Sequence, residues 1–203
     1  SAECLDNPAL RGKPVAVCGD PALRHGIVLA KSGEAKSFGV ATGQAIWEAR
    51  LRCPGLVVVP PRYGRYLELS RQVRALYLQY TDQVEPFGLD ESWLDVGGSA
   101  GLFGDGRQIA DTLRTRIKRE IGLTVAVGGS FNKVFAKLGS DYKKPDATTV
   151  ITRENYRQVV WALPVGDLLY VGPATAKKLG RYGIRTIGAL ARASPAFLHT
   201  VLG

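Results

Sequence analysis

Two adjacent carboxylates, Asp90 and Glu91, are the residues of this 203-residue chain whose types and spacing most clearly indicate chemistry. They lie in PFGLDESWLDV, residues 86–96, where the apolar side chains otherwise follow a strand pattern. Successive side chains of a regular strand point to opposite faces, so a pair in mid-strand could not share one ligand. If the chain reverses near Leu89–Glu91, both carboxylates can project from a hairpin tip on the same side.

Such a pair suits a hard divalent cation. Mg²⁺ is commonly bound by one or two carboxylates, waters and substrate phosphates, and Mn²⁺ fits the same ligands. Two such ions activate an attacking hydroxyl and stabilise the leaving oxygen in phosphoryl or nucleotidyl transfer. Acidic residues are also common in turns, so a pair without a ligand is the alternative interpretation.

The elements that must position this pair alternate along the chain. Strands are predicted over residues 12–19, 26–30, 55–60, on both sides of Asp90, and over 123–129 and 148–152. Helices are predicted over residues 42–53, 63–80, 106–121 and 132–140, with short helices after Pro164. This order predicts an α+β fold in which an antiparallel-rich sheet carries helices on one face.

Composition argues against several classes of protein. No apolar run approaches the roughly 20 residues of a membrane helix, and residues 1–8 lack the charged start and apolar stretch of a signal peptide. The three cysteines match no metal-ligand spacing, so a reducing, cytoplasmic setting is expected. The chain has only two histidines, His25 and His199, so it offers few candidates for histidine-based catalysis.

The positive charge is concentrated toward the C-terminus. The chain carries a net charge of +9, and residues 151–203 hold seven basic and two acidic side chains, a net charge of +5. Residues 63–150 hold twelve basic and eleven acidic side chains, a net charge of +1. A basic end attached to a nearly neutral middle with paired carboxylates suggests that the end holds a polyanion on which the middle acts. A solvated basic surface is the alternative.

A second motif lies in this basic end. The stretch VGPATAKKLGRYGI, residues 171–184, looks like a helix-hairpin-helix, in which a tight turn opens a helix that ends at a glycine. Backbone N–H groups at such a helix start can bind a DNA phosphate without reading sequence, and nearby cations add charge. An ordinary helix start with solvated lysines is the alternative. The predicted DNA contacts share this turn and helix: Gly172, Pro173, Ala174, Lys177, Lys178 and Arg181.

Three unlike motifs occur in an order and spacing that resemble the Y-family translesion DNA polymerases, in particular the bacterial DNA polymerase IV group. They are VEPFGLDESWLDVGGS, LTVAVGGSFNKVFAKLGSDYKKPDATTVI and LLYVGPATAKKLGRYGIRTIGALA, and the resemblance covers essentially the whole chain. It implies small fingers over residues 1–62, a polymerase palm over 63–152 and a helix-hairpin-helix thumb over 153–203.

The resemblance also implies an activity, partners and site residues. The activity is error-prone DNA synthesis past lesions, with template-primer DNA and deoxynucleoside triphosphates as partners and no membrane. Asp90 and Glu91 fall on two of the three palm carboxylates that bind two catalytic Mg²⁺ ions. Lys144, in KKPDA, falls on the lysine that contacts the triphosphate, a role suited to a mobile point charge.

The predicted fingers depart from the family pattern. Lys36 stands where an arginine commonly contacts the triphosphate. It keeps the positive charge but lacks the paired N–H donors with which a guanidinium binds phosphate in a bidentate manner. Ala30 and Gly33 stand where a threonine and a tyrosine are common, and they keep no polar group. Nucleotide binding is therefore expected to use different contacts here or to be weaker.

Further parts of the family pattern are expected outside the sequence given. The third metal carboxylate and an aromatic gate against ribonucleotides should precede Ser1, and the chain contains no methionine. A little-finger domain, and a tail through which a sliding clamp would bind, should follow Gly203. The chain as given is therefore expected to be an inactive fragment, although two carboxylates could still bind Mg²⁺ weakly.

Functions of different classes remain open. The first is a polymerase, and the second is a catalytically retired relative that binds damaged DNA as a scaffold. A helix-hairpin-helix repair factor without synthesis is a third, which leaves the carboxylates unexplained. Retention of Asp90, Glu91 and Lys144 favours the polymerase, because like charges repel each other where no metal binds. Ala30 and Gly33 point toward the retired relative.

Overall fold

The structure is a computed structural model that describes residues 1–19 and 26–203, and it confirms the α+β class. His25 lies outside the described residues. The strands are β1 (Val15–Cys18), β2 (Val28–Lys31), β3 (Val57–Val59), β4 (Val84–Phe87), β5 (Glu91–Leu94), β6 (Val127–Ser130) and β7 (Thr148–Ile151). The helices are α1 (Ala2–Asp6), α2 (Gly33–Ser37), α3 (Ile46–Arg52), α4 (Tyr63–Tyr77), α5 (Ala100–Phe103), α6 (Gly106–Glu120), α7 (Lys133–Tyr142), α8 (Tyr156–Val160), α9 (Pro173–Gly180), α10 (Ile187–Arg192) and α11 (Pro195–Leu202).

The described residues form two compact units. The first contains Ser1–Arg74 and Ile121–Leu123, and the second contains Ala75–Glu120 and Thr124–Gly203. The fingers, palm and thumb boundaries after residues 62 and 152 stay a prediction. In the part of the chain that the structure describes, no helix is long and apolar enough to cross a membrane.

The first unit is built on a three-stranded sheet of order β2-β1-β3, in which β1 pairs antiparallel with β2 and parallel with β3. Its core contains small and branched apolar side chains, among them Ala16, Val28 and Ala49. All three cysteines of the chain lie in this unit as free thiols, and those of Cys18 and Cys53 are buried in the same core.

The second unit contains two strand pairs. An antiparallel-rich sheet is predicted in residues 63–152, and the described strands there form one antiparallel pair, β4-β5, and one parallel pair, β6-β7. Strands β6 and β7 are joined through helix α7. Parallel neighbouring strands require a crossover of this kind, whereas antiparallel neighbours can be joined by a short hairpin turn. The buried side chains of Leu138 on α7 and Ile151 on β7 pack with those of Val160 and Ile187.

Helix α7 lies very close to strand β6, because glycines face each other across the contact. A Cβ atom added at Gly128 would lie 1.8 Å from the carbonyl oxygen of Ala136 and 2.5 Å from the amide nitrogen of Ser140. A Cβ atom added at Gly139 would lie 3.1 Å from the Cα atom of Gly128. The position of α7 therefore depends on the absence of side chains at these two residues.

Candidate functional site: a carboxylate hairpin and its lysine partners

The chain reverses at the predicted point. Phe87 on β4 pairs with Glu91 on β5, which leaves three residues for the turn of this hairpin. Gly88 opens the turn at a φ of 74°, a left-handed conformation that glycine adopts without steric cost. Asp90 lies in the turn and is exposed, and Glu91 begins β5 with 37% of its side chain accessible. Neither carboxylate is buried in mid-strand.

Aromatic and ionic contacts attach this hairpin to the start of α7. The rings of Phe87 and Trp93 lie 4.7 Å apart, centroid to centroid. The indole Nε1 of Trp93 donates to the carbonyl oxygen of Lys133 at 3.3 Å, and the Lys133 ammonium lies 5.3 Å from the Trp93 ring centroid. The same ammonium pairs with the carboxylate of Glu85 on β4. Trp93 thus supports the hairpin beside the carboxylates.

Helix α7 itself forms for local reasons. The side chain of Asn132 caps its first turn by accepting from the amide of Phe135 at 2.8 Å. The hydroxyl of Ser140 donates to the carbonyl oxygen of Lys137, also at 2.8 Å. Lys137 is on this helix, and only 16% of its side chain is exposed. The helix thus holds a largely buried lysine beside the hairpin.

A chain of alternating charges runs from Glu91 to Lys144. The ammonium of Lys137 donates to Oε1 of Glu91 at 2.7 Å and to Oδ2 of Asp141 at 2.8 Å. The ammonium of Lys144 lies 2.6 Å from Oδ1 of the same Asp141. Two of the predicted site residues, Glu91 and Lys144, are therefore connected through two residues for which no role is predicted from the sequence.

The two middle members of this chain have shifted pKa values. Burial lowers the pKa of Lys137, but hydrogen bonds to Asp141 and Glu91 outweigh burial and raise it above its ordinary value. Burial raises the pKa of Asp141, but hydrogen bonds from Lys137 and Lys144 outweigh burial and keep it below its usual range. Both groups are therefore held in their charged forms.

The donor set at the hairpin fits a divalent cation by its chemistry. Asp90 and Glu91 offer carboxylate oxygens, and Mg²⁺ completes its octahedron with waters and substrate phosphates rather than with protein atoms alone. Among residues 1–19 and 26–203 no group of three or more histidine, cysteine, aspartate or glutamate side chains could hold a metal ion. Asp90 and Glu91 could therefore supply only part of a coordination sphere, and further ligands would have to come from waters, a substrate or other residues.

The predicted helix-hairpin-helix turn is present. Gly172 is the N-cap of α9 and Pro173 its first residue, and amides in the first turn of a helix have no acceptor within the helix. Leu179 anchors the helix in a core with Val165 and Ile184. The six residues predicted to contact DNA are all exposed: Gly172, Pro173, Ala174, Lys177, Lys178 and Arg181.

The segment before this helix lies beside the lysine-rich part of α7. An open cavity of about 490 Å³ is lined by Lys137, Asp141 and residues 167–172. Within that segment Tyr170 has a φ of 70° and an exposed fraction of 84%. No role is predicted for Tyr170 from the sequence, and its left-handed backbone has no counterpart among the other described non-glycine residues.

Lys36 belongs to the first unit. It lies exposed on α2, whose first turn is capped by the hydroxyl of Ser32 accepting from the amide of Ala35 at 3.2 Å. Ala30 is exposed on β2. Lys36 is therefore accessible to a ligand.

Comparisons with known proteins agree with the motifs. The model of the impB/mucB/samB family matches residues 1–141. The chain is 57% identical over its whole length to a DNA polymerase IV from Acetivibrio thermocellus, of which it covers 51%. It is 44% identical, again over its whole length, to a DNA polymerase IV from Halorhodospira halophila, of which it covers 57%.

Solved structures give the same result. DinB from Sulfolobus solfataricus superimposes with a TM-score of 0.91 at 28% identity, over 99% of this chain and 59% of that one. An insertion ternary complex of Dbh DNA polymerase gives a TM-score of 0.89 at 28% identity, over 99% of this chain and 59% of that one. The chain spans about half the length of the curated relatives it matches. The resemblance to Y-family polymerases is confirmed, and the chain belongs to the impB/mucB/samB family.

Proposed function

We propose that the protein acts as an error-prone, DNA-directed DNA polymerase that synthesises DNA past lesions during repair. The observation that carries this proposal is the position of Asp90 and Glu91 at a hairpin turn in a chain of this family. Glu91 is also linked by ion pairs through Lys137 and Asp141 to Lys144. Relatives in the family are named DNA polymerase IV. The retired-relative alternative gains no support from these contacts.

In this proposal the two carboxylates hold divalent cations. Asp90 and Glu91 bind Mg²⁺, and a third carboxylate is expected from outside the described residues. When bound, two such ions supply activation of the primer hydroxyl and stabilisation of the leaving pyrophosphate oxygens. The contribution of the protein is to hold the carboxylate oxygens at the turn and to keep Lys144 nearby as a counter-charge for phosphate.

The remaining predicted residues bind the two substrates. Lys144 and Lys36 are proposed to contact the triphosphate of the incoming deoxynucleotide. The first-turn amides of α9 and the cations Lys177, Lys178 and Arg181 are proposed to hold a DNA backbone, because helix N-termini bind phosphate without reading bases. Three free cysteines agree with a cytoplasmic location. A sliding clamp remains an expected partner through sequence outside the chain.

Primer extension by the full-length protein tests this proposal. Template-primer duplex, deoxynucleotides and Mg²⁺ are supplied, and Asp90→Asn and Glu91→Gln are compared with the unaltered protein. Each change keeps the side-chain volume and removes the charge that binds metal, so we expect each to slow extension by at least ~100-fold.

Asp95→Asn is the matched control. This exposed carboxylate follows β5, and its Oδ1 accepts from the amide of Gly97 at 2.9 Å. It should retain near-normal extension. Extension by Asp90→Asn and Glu91→Gln at the unaltered rate would remove the metal role. If the unaltered protein binds duplex tightly and never extends it, the protein is a retired, DNA-binding relative.

A further inference from the structure

The two ends of the chain of alternating charges, Glu91 and Lys144, have different proposed ligands, and Lys137 and Asp141 are its two middle members. Oδ2 of Asp141 accepts from Lys137, while Oδ1 lies beside Lys144. The ammonium of Lys137 donates hydrogen bonds to both Asp141 and Glu91, at 2.8 Å and 2.7 Å. Each inner member therefore shares its charge between two partners of opposite charge.

Burial strengthens the effect of this shared charge on Lys137. Only 16% of the Lys137 side chain is exposed, against 57% of Lys144, so the Lys137 ammonium relies on protein acceptors rather than on water. Exposed ion pairs are screened by water and contribute little. The Lys137 ammonium is largely withdrawn from water while its carboxylate partners are 37% and 41% exposed, so its two ion pairs are screened less than fully exposed pairs are. The charge on Asp141 therefore affects how firmly Lys137 holds Glu91.

We propose that Lys137 and Asp141 are positioning residues that couple phosphate capture by Lys144 to cation binding at Glu91. A phosphate that draws Lys144 away leaves the full charge of Asp141 to Lys137. Lys137 then shifts toward Asp141 and releases the Glu91 carboxylate for a divalent cation. This inference rests on the proposed roles of Glu91 and Lys144, and it makes the two sites bind their ligands cooperatively.

Mn²⁺ binding to this chain, followed by the electron paramagnetic resonance of the free ion, tests the coupling without any measurement of activity. Lys144→Met imitates phosphate capture because it removes the cation from Asp141. We expect it to tighten Mn²⁺ binding at least about two-fold more than its control does, the lower end of coupling energies in charge networks. The matched control is Lys143→Met, which removes the same charge from the neighbouring exposed residue.

Combining Asp141→Asn with Lys144→Met gives a double-mutant cycle that tests whether the coupling passes through Asp141. With a neutral side chain at this position, Lys137 keeps Glu91 as its charged partner, so Mn²⁺ binding should weaken. Adding Lys144→Met to Asp141→Asn should then have no more effect than adding Lys143→Met. This non-additivity is the sign of coupling through Asp141, because a general change in charge near the site would act equally in both backgrounds.

The outcomes separate this inference from the proposed function. If Glu91→Gln weakens Mn²⁺ binding but Lys144→Met and Lys143→Met act alike, the metal role stands and the coupling is wrong. If Glu91→Gln leaves Mn²⁺ binding unchanged, both the metal role of Glu91 and the coupling are wrong. Thermal unfolding of each variant checks that these largely exposed substitutions leave the fold intact.

Discussion

Tyr77, near the end of α4, carries a phenol that is largely withdrawn from water. Burial raises its pKa from 10 to about 12. The phenol is neutral in both folded and unfolded chains below its unfolded pKa, so the folded state keeps its full stability there. As the pH rises past that value the unfolded chain ionises first, and the folded state loses stability until the folded pKa is reached.

We therefore expect the free energy of unfolding to fall by roughly 1 kcal/mol more in the unaltered chain than in Tyr77→Phe between pH 8 and pH 11. Phenylalanine keeps the ring in its core and has no proton to lose. Urea unfolding at the two pH values measures the difference. Equal losses in the two proteins would mean that the phenol is accessible to water in the folded state.

Single residues also show how far the sequence predicts the site. The turn at Asp90 and the helix start at Pro173 depend on neighbours in the chain, and glycine and proline there indicate both. The contact between Lys137 and Glu91 joins residues 46 positions apart and depends on how α7 packs against the hairpin. The other two ion pairs are local in the sequence. Asp141 follows Lys137 by four residues and precedes Lys144 by three, and these spacings could have indicated both pairs.

At the level of elements, the contact between β6 and α7 determines where that lysine lies. Gly128→Ala would place a methyl group 1.8 Å from a backbone carbonyl oxygen, and neither the strand nor the helix can yield without losing its own hydrogen bonds. We expect a loss of about 3 kcal/mol in the free energy of unfolding, the upper part of the range for overpacked interiors.

Gly129→Ala on the same strand is the matched control for this prediction. Its added Cβ atom would lie 3.6 Å from Cγ2 of Val150, which is ordinary van der Waals contact. Urea denaturation of both variants measures the effect, and we expect a change near zero for the control. A loss of similar size in the two variants would show that the strand, and not the helix contact, is sensitive to substitution.

The sequence predicts well which segments form helices, because the apolar spacing that identifies α4 and α6 can be read within each segment alone. Strand pairing is less predictable, since alternation in a strand does not identify its neighbour. Strand β6 begins at Val127, four residues after the start of the predicted strand, and it pairs parallel with β7 rather than antiparallel. The pairing follows from the crossover through α7, which brings the two strands side by side in the same direction.

For the whole molecule, the basic C-terminal region should set the dependence of DNA binding on salt. If Lys177, Lys178 and Arg181 each neutralise a phosphate, their joint replacement by glutamine should reduce the slope of log affinity against log salt by about 0.9 per residue. Fluorescence anisotropy of labelled duplex across a salt series measures that slope. Binding itself should weaken for every duplex sequence alike.

A triple replacement on α6 serves as the control, because it removes the same charge elsewhere. Arg107, Lys118 and Arg119 are exposed there and are already ion-paired with carboxylates. Their replacement by glutamine should leave the slope nearly unchanged. Equal slopes for the two triple variants would mean that net charge, and not the α9 surface, determines DNA binding.

The distribution of cysteines between the units has a practical consequence. All three thiols lie in the first unit, where Cys18 and Cys53 are buried, and burial raises the pKa of Cys18. Alkylation requires an accessible thiolate, so these two react only when the first unit opens. Their alkylation rates therefore report the opening of that unit alone, while a spectroscopic signal follows the whole chain. The protein thus contains its own reporter of whether the two units unfold together.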